Sequence, residues 1–301
     1  MKAIIFGAGF IGTATGNRIH EDGGEVVGAD NWMIKSGERQ LFDCQTVDVR
    51  KPKNVEAFIS AYRPPVIFWF PARQGYKMDH AAFADVQVRG TYSLFQALDA
   101  LKEDGYRPDR IVLASSQAIY SPGVDAPEGH PKDPPSVYGF SKLQQEEAFR
   151  WFCRSREIVC LAMRYSIVLG PGQALQSTES GLLRNWNRCL KDRKAPEIYG
   201  DGEQLRDFVH IDDVARANIQ AAKYPVSESF NIGGQTRSVK EMAAAFDSMT
   251  DCKTPVVTGK AERPGGEYSM TSSSSYAKER LKWEAIADPE ACMRDFLDYA
   301  K

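Results

Sequence analysis

Through its first half the chain alternates short β-rich apolar runs with stretches of helical spacing, and few architectures accommodate that rhythm. Residues 3–6, 26–29, 66–70, 111–114 and 158–163 read as strands, while 11–20, 55–62, 83–101 and 137–152 read as helices between them. The alternation predicts an α/β fold, a Rossmann-type doubly wound parallel sheet with its working end at the carboxyl ends of the strands. After Gly170-Pro171-Gly172 the rhythm changes. Residues 184–190 look helical, 195–204 are turn-rich, and the chain is expected back in the sheet at 207–209, ahead of a helix over 212–222. It leaves the sheet again after Asn231-Ile232-Gly233-Gly234. The expected organisation is one domain built from 1–165 and about 207–230, with a smaller interleaved C-terminal lobe of 166–206 and 231–301.

The 301 residues, 43% hydrophobic and 26% charged, are long and apolar enough to bury such a core. A formal net charge of -2 with no long basic run argues against a nucleic-acid surface, so an anionic ligand has to be held by a few placed arginines. Cysteines at 44, 153, 160, 189, 252 and 292 form no Cys-x-x-Cys pair and suggest neither a zinc site nor a disulfide framework, which fits a reducing cytoplasm. The amino terminus runs directly into an apolar strand, and no stretch approaches about 18 uninterrupted apolar residues. Neither a secretion leader nor a membrane span is expected. His80, His130 and His210 lack metal-like spacing and read as structural.

Gly7-Ala8-Gly9-Phe10-Ile11-Gly12 follows the first strand and opens the first helix. There Gly7, Gly9 and Gly12 can make a tight turn, admit a pyrophosphate to the backbone and let helix pack on strand, with Phe10 and Ile11 in the helical turn that faces the anion. A tight turn without a ligand is the plain alternative. Asp30, at the end of the second strand, can accept from a ribose 2′-hydroxyl and would repel a 2′-phosphate, which favours NAD over NADP as cofactor. Capping of the next loop is its alternative, and Lys35 or Arg39 could soften the discrimination.

Tyr138-Gly139-Phe140-Ser141-Lys142 points to a chemistry. On a helix, positions i and i+4 share a face, so the Lys142 ammonium can lie near the Tyr138 phenol. A free tyrosine titrates near pH ~10, so about one molecule in 10³ is phenolate at neutral pH, a deficit of roughly 4 kcal/mol. One positive charge at ~5 Å in an effective dielectric of ~20 supplies about 3 kcal/mol, and an oxidised nicotinamide would add a similar amount. Together they suffice to make Tyr138 a base for hydride transfer to a nicotinamide.

Taken in order, Gly7 to Gly12, Asp30-Asn31, Asp48-Val49, Leu113-Ala114-Ser115-Ser116, Tyr138 to Lys142, Arg164-Tyr165, Gly170-Pro171-Gly172, Arg206-Asp207-Phe208 and Arg263-Pro264-Gly265 span nearly the whole chain. This series resembles the extended short-chain dehydrogenase/reductase family, in its nucleotide-sugar epimerase/dehydratase branch. The resemblance implies that Asp48 and Val49 hold the adenine of NAD, that Ser116 pairs with Tyr138 at the reacting carbon, and that Tyr165 lies by the nicotinamide. It also implies that Arg206 and Arg263 clamp the diphosphate of a nucleotide sugar, a UDP-sugar above others, with Tyr199 near the nucleoside. Guanidinium forks suit diphosphates, so the residue types agree. Each position has a plainer alternative: Ser116 could cap the next turn, Arg206 could pair with Asp207, Arg263 could be solvated, and Tyr199 could be packing. A homodimer through the helices at 83–101 and 137–152 is implied as well.

The cycle implied is removal of the sugar 4-hydroxyl proton by Tyr138, oxidation to a 4-keto sugar, and return of the hydride to the other face, with Ser116 orienting the oxygen. Dehydratases and sugar-acid decarboxylases of this branch carry an acid directly after the catalytic hydroxyl, where this chain has Gln117 and Ala118, so 4-epimerisation is favoured. A dehydrogenase or ketosugar reductase is the runner-up, and a catalytically silent nucleotide-sensing module is the reading outside enzymes. Departures from the branch cluster around the sugar: Trp69-Phe70-Pro71-Ala72-Arg73-Gln74 at a strand end, Gln87 and Ile167 in place of asparagines, and Gly266 in place of an acid. Arg73, Gln74 and Lys77 could read a sugar substituent, or be solvated charges. Met270 falls where relatives size the pocket for N-acetyl groups.

Overall fold

The computed structural model describes residues 1–31, 39–73, 80–173, 182–192, 194–195, 197–250, 256–257 and 268–300. The first half runs β1 (Lys2–Phe6), α1 (Phe10–Glu21), β2 (Glu25–Asp30), β3 (Asp43–Thr46), α2 (Pro52–Tyr62) and β4 (Val66–Trp69). A short helix α3 (His80–Phe83) and one π-helical turn (Ala84–Val88) then lead into α4 (Arg89–Glu103). Next come β5 (Arg110–Ser116), a 3-10 turn (Gln117–Ile119), β6 (Gly123–Ala126), α5 (Val137–Ser155), β7 (Val159–Tyr165) and β8 (Ile167–Leu169).

Beyond these lie α6 (Leu182–Lys191), β9 (Glu197–Ile198), β10 (Leu205–His210), α7 (Ile211–Ala221), β11 (Glu228–Ile232) and β12 (Gln235–Ser238). The chain closes with α8 (Val239–Met249), β13 (Val256–Val257), β14 (Met270–Ser272), α9 (Ser275–Leu281) and α10 (Pro289–Ala300).

Seven strands form one all-parallel sheet in the order β11-β7-β5-β4-β1-β2-β3. Its inner strands β1, β4, β5 and β7 are largely buried, mostly apolar runs because helices cover both faces. Successive residues of β1 show the consequence: Ala3 and Ile5 enter one core, Ile4 and Phe6 the other. Strand order reverses between β1 and β4, which opens a crevice at their carboxyl ends. The doubly wound α/β class read from the sequence is therefore the one observed.

Two differences have physical causes. β3 escapes sequence reading because Asp43-Cys44-Gln45-Thr46 is a polar, largely exposed edge strand held only by its register on β2. The expected return to the large sheet at 207–209 is corrected: β10 lies in a second sheet, β12-β10-β14-β6 with β8 also beside β10, and β11 makes the return instead. Asp207 anchors β10 there, accepting from the Ser272 amide at 2.6 Å and the Thr236 hydroxyl at 2.7 Å. An alternating strand fits either sheet, and only these partners select one. A separate core of Leu183, Trp186, Phe208, Met242, Phe246 and Phe296 fills the smaller lobe.

Candidate active site

At the crevice, Gly7 ends β1 with φ +83°, and a Cβ there would meet the Pro71 nitrogen at 2.7 Å. Only glycine allows this turn beside the end of β4. Helix α1 then starts from Gly9 with no side-chain cap, and its first backbone bond runs from the Thr13 amide to the Gly9 carbonyl at 2.8 Å. The amides of Phe10, Ile11 and Gly12 precede that bond and can serve an anion. Asp30 closes β2 and Asn31 follows it, both half-buried at the same edge of the sheet. Past β3, both oxygens of Asp48 accept from the Arg50 guanidinium at 2.8 Å, and Arg50 also donates to Asp85 at 2.6 Å. That hydrogen bond holds the Asp48 carboxyl below its ordinary value. Val49 beside it is buried.

Ser116 ends β5, buried, and its hydroxyl accepts from the Ala118 amide at 3.1 Å. It does cap the following turn, as the plainer alternative holds, while sitting at the working end of the sheet. Ser136 caps α5 by accepting from the Gly139 amide at 3.0 Å. A Cβ at Gly139 would lie 2.1 Å from the Ala118 carbonyl oxygen, so glycine is what lets the first turn of α5 close on the turn after Ser116. That approach brings half-buried Tyr138 and Ser116 to one corner. The Tyr138 ring lies 6.1 Å from that of Phe83.

One helical turn on, Lys142 is almost wholly buried and donates to the Ala114 carbonyl at 2.7 Å and to Gln145 Oε1 at 3.1 Å. Burial pushes its ammonium down to about 7. Behind it, Glu146 accepts from the Ser115 hydroxyl at 2.6 Å and from Arg164 Nε at 3.1 Å. Burial alone would raise the Glu146 carboxyl, but the Arg164 hydrogen bonds and charge, with Ser115, bring it down to about 2. Arg164 also donates to the Tyr120 hydroxyl at 2.7 Å and the Glu128 carbonyl at 2.9 Å.

Tyr165 is buried at the end of β7 and donates to Asn218 Oδ1 at 2.7 Å; burial raises its phenol well above the usual range. Gln117, where dehydratases need an acid, is buried and accepts from the Ser272 hydroxyl at 3.2 Å. Ser272 also meets Asp207, whose carboxyl burial pushes up to about 6. Arg206, half-buried on β10, donates to the carbonyls of Leu205 and Tyr268 at 2.8 and 2.7 Å, with Met270 as its register partner. The Tyr199 carbonyl accepts from Gln204 at 2.8 Å. Arg263, Gly266, Lys35, Gln74 and Lys77 lie outside the described residues.

Three further side chains stand at the site: Gln145, Thr91 and Gln87, all buried between α4 and α5. Gln87 was legible only as an asparagine exchanged. Gln145 carried one signal, its place three residues after Lys142.

A glycine-led helix terminus at the sheet's switch point, with a serine ending β5 and a tyrosine and a buried lysine at the start of α5, defines a dinucleotide-binding enzyme of the doubly wound class. The model of the NAD dependent epimerase/dehydratase family matches residues 3–233, and the chain belongs to that family. Among relatives, the dTDP-L-rhamnose 4-epimerase of Burkholderia thailandensis is 28% identical over 92% of this chain and 88% of its own length. A putative UDP-glucose 4-epimerase of Methanocaldococcus jannaschii is 31% identical over 80% of each chain. The solved UDP-glucose 4-epimerase of Thermus thermophilus, in complex with NAD, shares the fold with a TM-score of 0.88 at 24% identity, covering 100% of this chain and 99% of that one.

Proposed function

We propose that this chain is an NAD-dependent nucleotide-sugar 4-epimerase working through a 4-keto sugar. The observation that carries the reading is the close approach of the first turn of α5, which bears Tyr138 and Lys142, to the turn after Ser116, together with the neutral Gln117 turned onto Ser272 where elimination chemistry needs a carboxylic acid. NAD, when bound, supplies the hydride acceptor and donor. Gly7, Gly9, Phe10, Ile11 and Gly12 would hold its pyrophosphate at the start of α1, Asp30 and Asn31 its ribose, and Asp48 and Val49 its adenine. A carboxylate keeps acceptor capacity beyond Arg50, so the adenine role remains open to Asp48. Tyr165 would offer ring surface to the nicotinamide, since its hydroxyl is engaged with Asn218.

Tyr138 takes the proton of the sugar 4-hydroxyl and returns it after the ketone has turned over. Ser116 holds the oxygen through the step. Lys142 keeps the phenol low enough to act. The substrate we infer is a nucleoside-diphosphate sugar, UDP-sugars first, with its diphosphate between Arg206 and Arg263 and its nucleoside near Tyr199; the relatives' names support that class. In this reading the NAD domain is 1–165 with about 211–230, and the sugar lobe takes β10, so that it runs 166–210 with 231–301. We also infer a homodimer through α4 and α5, and a reducing cytoplasm, which suits the free, buried thiols Cys153 and Cys160.

The experiment is NMR of UDP- and dTDP-hexoses with the purified protein and no added cofactor. C4 epimerisation without net NADH is expected, and Tyr138→Phe should lower turnover by at least about 10²-fold. Steady NADH accumulation would replace this reading with that of a dehydrogenase.

A further inference from the structure

The buried amides behind Lys142 form a one-way arrangement. Thr91 donates its hydroxyl to the Gln87 carbonyl at 2.5 Å, so the oxygen of Thr91 faces Gln145 as an acceptor. Gln145 Nε2 donates to that oxygen at 3.1 Å and to the Gln87 carbonyl at 3.4 Å. Both amide hydrogens of Gln145 are thereby used, and turning the amide over would set donors against Lys142. Its oxygen must face Lys142 Nζ, as it does at 3.1 Å. With the Ala114 carbonyl at 2.7 Å, two acceptors fix two of the three N–H directions of the ammonium.

We propose that Gln145 is a positioning residue: its locked amide oxygen holds Lys142 in the charged form and aims it, and so sets the basicity of Tyr138. The inference rests on the Tyr138–Lys142 chemistry above. An acceptor with no donor choice favours NH3+ over NH2, which opposes the burial of this lysine. The titratable groups within one turn of Lys142 on α5 are Tyr138 and Glu146, and those at the end of β7, on which α5 packs, are Arg164 and Tyr165; Glu146 is bound by Arg164, and Tyr165 by Asn218. From the π turn and α4 come Gln87 and Thr91, both neutral. Burial pulls the Lys142 ammonium down, and the acceptors at hydrogen-bond distance from it are two neutral oxygens, those of Ala114 and Gln145.

The same cluster has a structural side. Gln87 pairs with the backbone of Arg73, accepting from its amide at 3.1 Å and donating to its carbonyl at 2.9 Å, so it also pins the segment after β4. The test has to separate positioning from packing.

Gln145→Met keeps the length and removes the acceptor. Tyr138 ionisation is read by ultraviolet titration of the cofactor-free protein, as the difference between each background and its Tyr138→Phe counterpart, beside the pH profile of kcat. We expect Gln145→Met to raise the Tyr138 midpoint by about one pH unit and to move the ascending limb of kcat by as much, with KM for the UDP-sugar unchanged. Thr91→Val, which unlocks the amide, should move both the same way by less, whereas Thr91→Ser should leave them at wild-type values. A folded Gln145→Met whose midpoint and limb stay in place overturns the proposal, even if it melts earlier. Should Gln145→Met not fold, Thr91→Val decides by the same two readings. If the wild type epimerises nothing, the function above fails and the titration still judges Gln145.

Discussion

Lys142 is held against its own preference. Its folded-state ammonium titrates near 7 where an unfolded chain titrates near 10.5, so between these values the unfolded state binds more protons. Stability therefore rises with pH across that window and levels off above it. In Lys142→Met the rise should vanish, which thermal melts of the cofactor-free protein from pH 6.5 to 10.5 would reveal, while turnover should fall at least about 10²-fold because the proposed chemistry needs that charge at Tyr138. A variant that keeps the wild-type slope would mean that another group titrates. Part of this was legible: the spacing from Tyr138 to Lys142 announced both residues, and Ser116 followed from the order of motifs. Gln145 lies one turn from Lys142 on the same helix, but the Ala114 acceptor and the Thr91 oxygen that fixes the Gln145 amide were not legible, because they arrive only when β5, α4 and α5 pack. Local pattern carries the candidate reacting groups, whereas tertiary packing sets their surroundings.

At the scale of elements, Arg164 on β7 ties α5, through Glu146, to the segment after β5, through Tyr120 and Glu128. Removing one partner of a buried pair leaves the other charge uncompensated, so Arg164→Met should cost about 3–5 kcal/mol in urea unfolding at pH 7. The Glu146 carboxyl, near 2 when folded against an ordinary 4.5, contributes stability that is present above 4.5 and is lost as pH falls toward 2. The variant lacks that contribution, so its deficit should be smaller at pH 4 than at pH 7, and Arg164→Met/Glu146→Gln should recover part of it; an equal deficit at both pH values would assign the loss to packing alone. Elements differed in how openly the sequence declared them. β1, β4, β5 and β7 are buried on both faces and stand out as apolar runs, while β3 is polar and β10 fits either sheet until Ser272 and Thr236 claim Asp207. A strand's existence is a local property, and its neighbours are not.

Across the whole molecule, the outer faces of α4 and α5 carry large apolar side chains that a solvated surface does not require. Tyr92 on α4 is 54% exposed, and on α5 Phe140 and Trp151 are 53% and 58% exposed. Phe140 and Trp151 are eleven residues apart, three helical turns, so they share one face. The two helices are already joined beneath that face by Phe95 stacked on Phe152 at 4.1 Å, giving a rigid two-helix platform. Two such platforms packed about a two-fold axis would bury the order of 1,600 Å² expected of a stable pair, with each Trp151 removed from water. The proposed homodimer thus makes a definite demand on one residue. Light scattering behind size exclusion should give twice the chain mass for the wild type and the single-chain mass, or at least a tenfold weaker dimer, for Trp151→Glu, because an unpaired carboxylate would have to enter the middle of the interface. Tyr138 and Lys142 stand on the buried side of the same helix, so loss of activity on dilution of Trp151→Glu would show that pairing steadies α5 for catalysis. A wild type that runs at single-chain mass would leave Tyr92, Phe140 and Trp151 to some other partner.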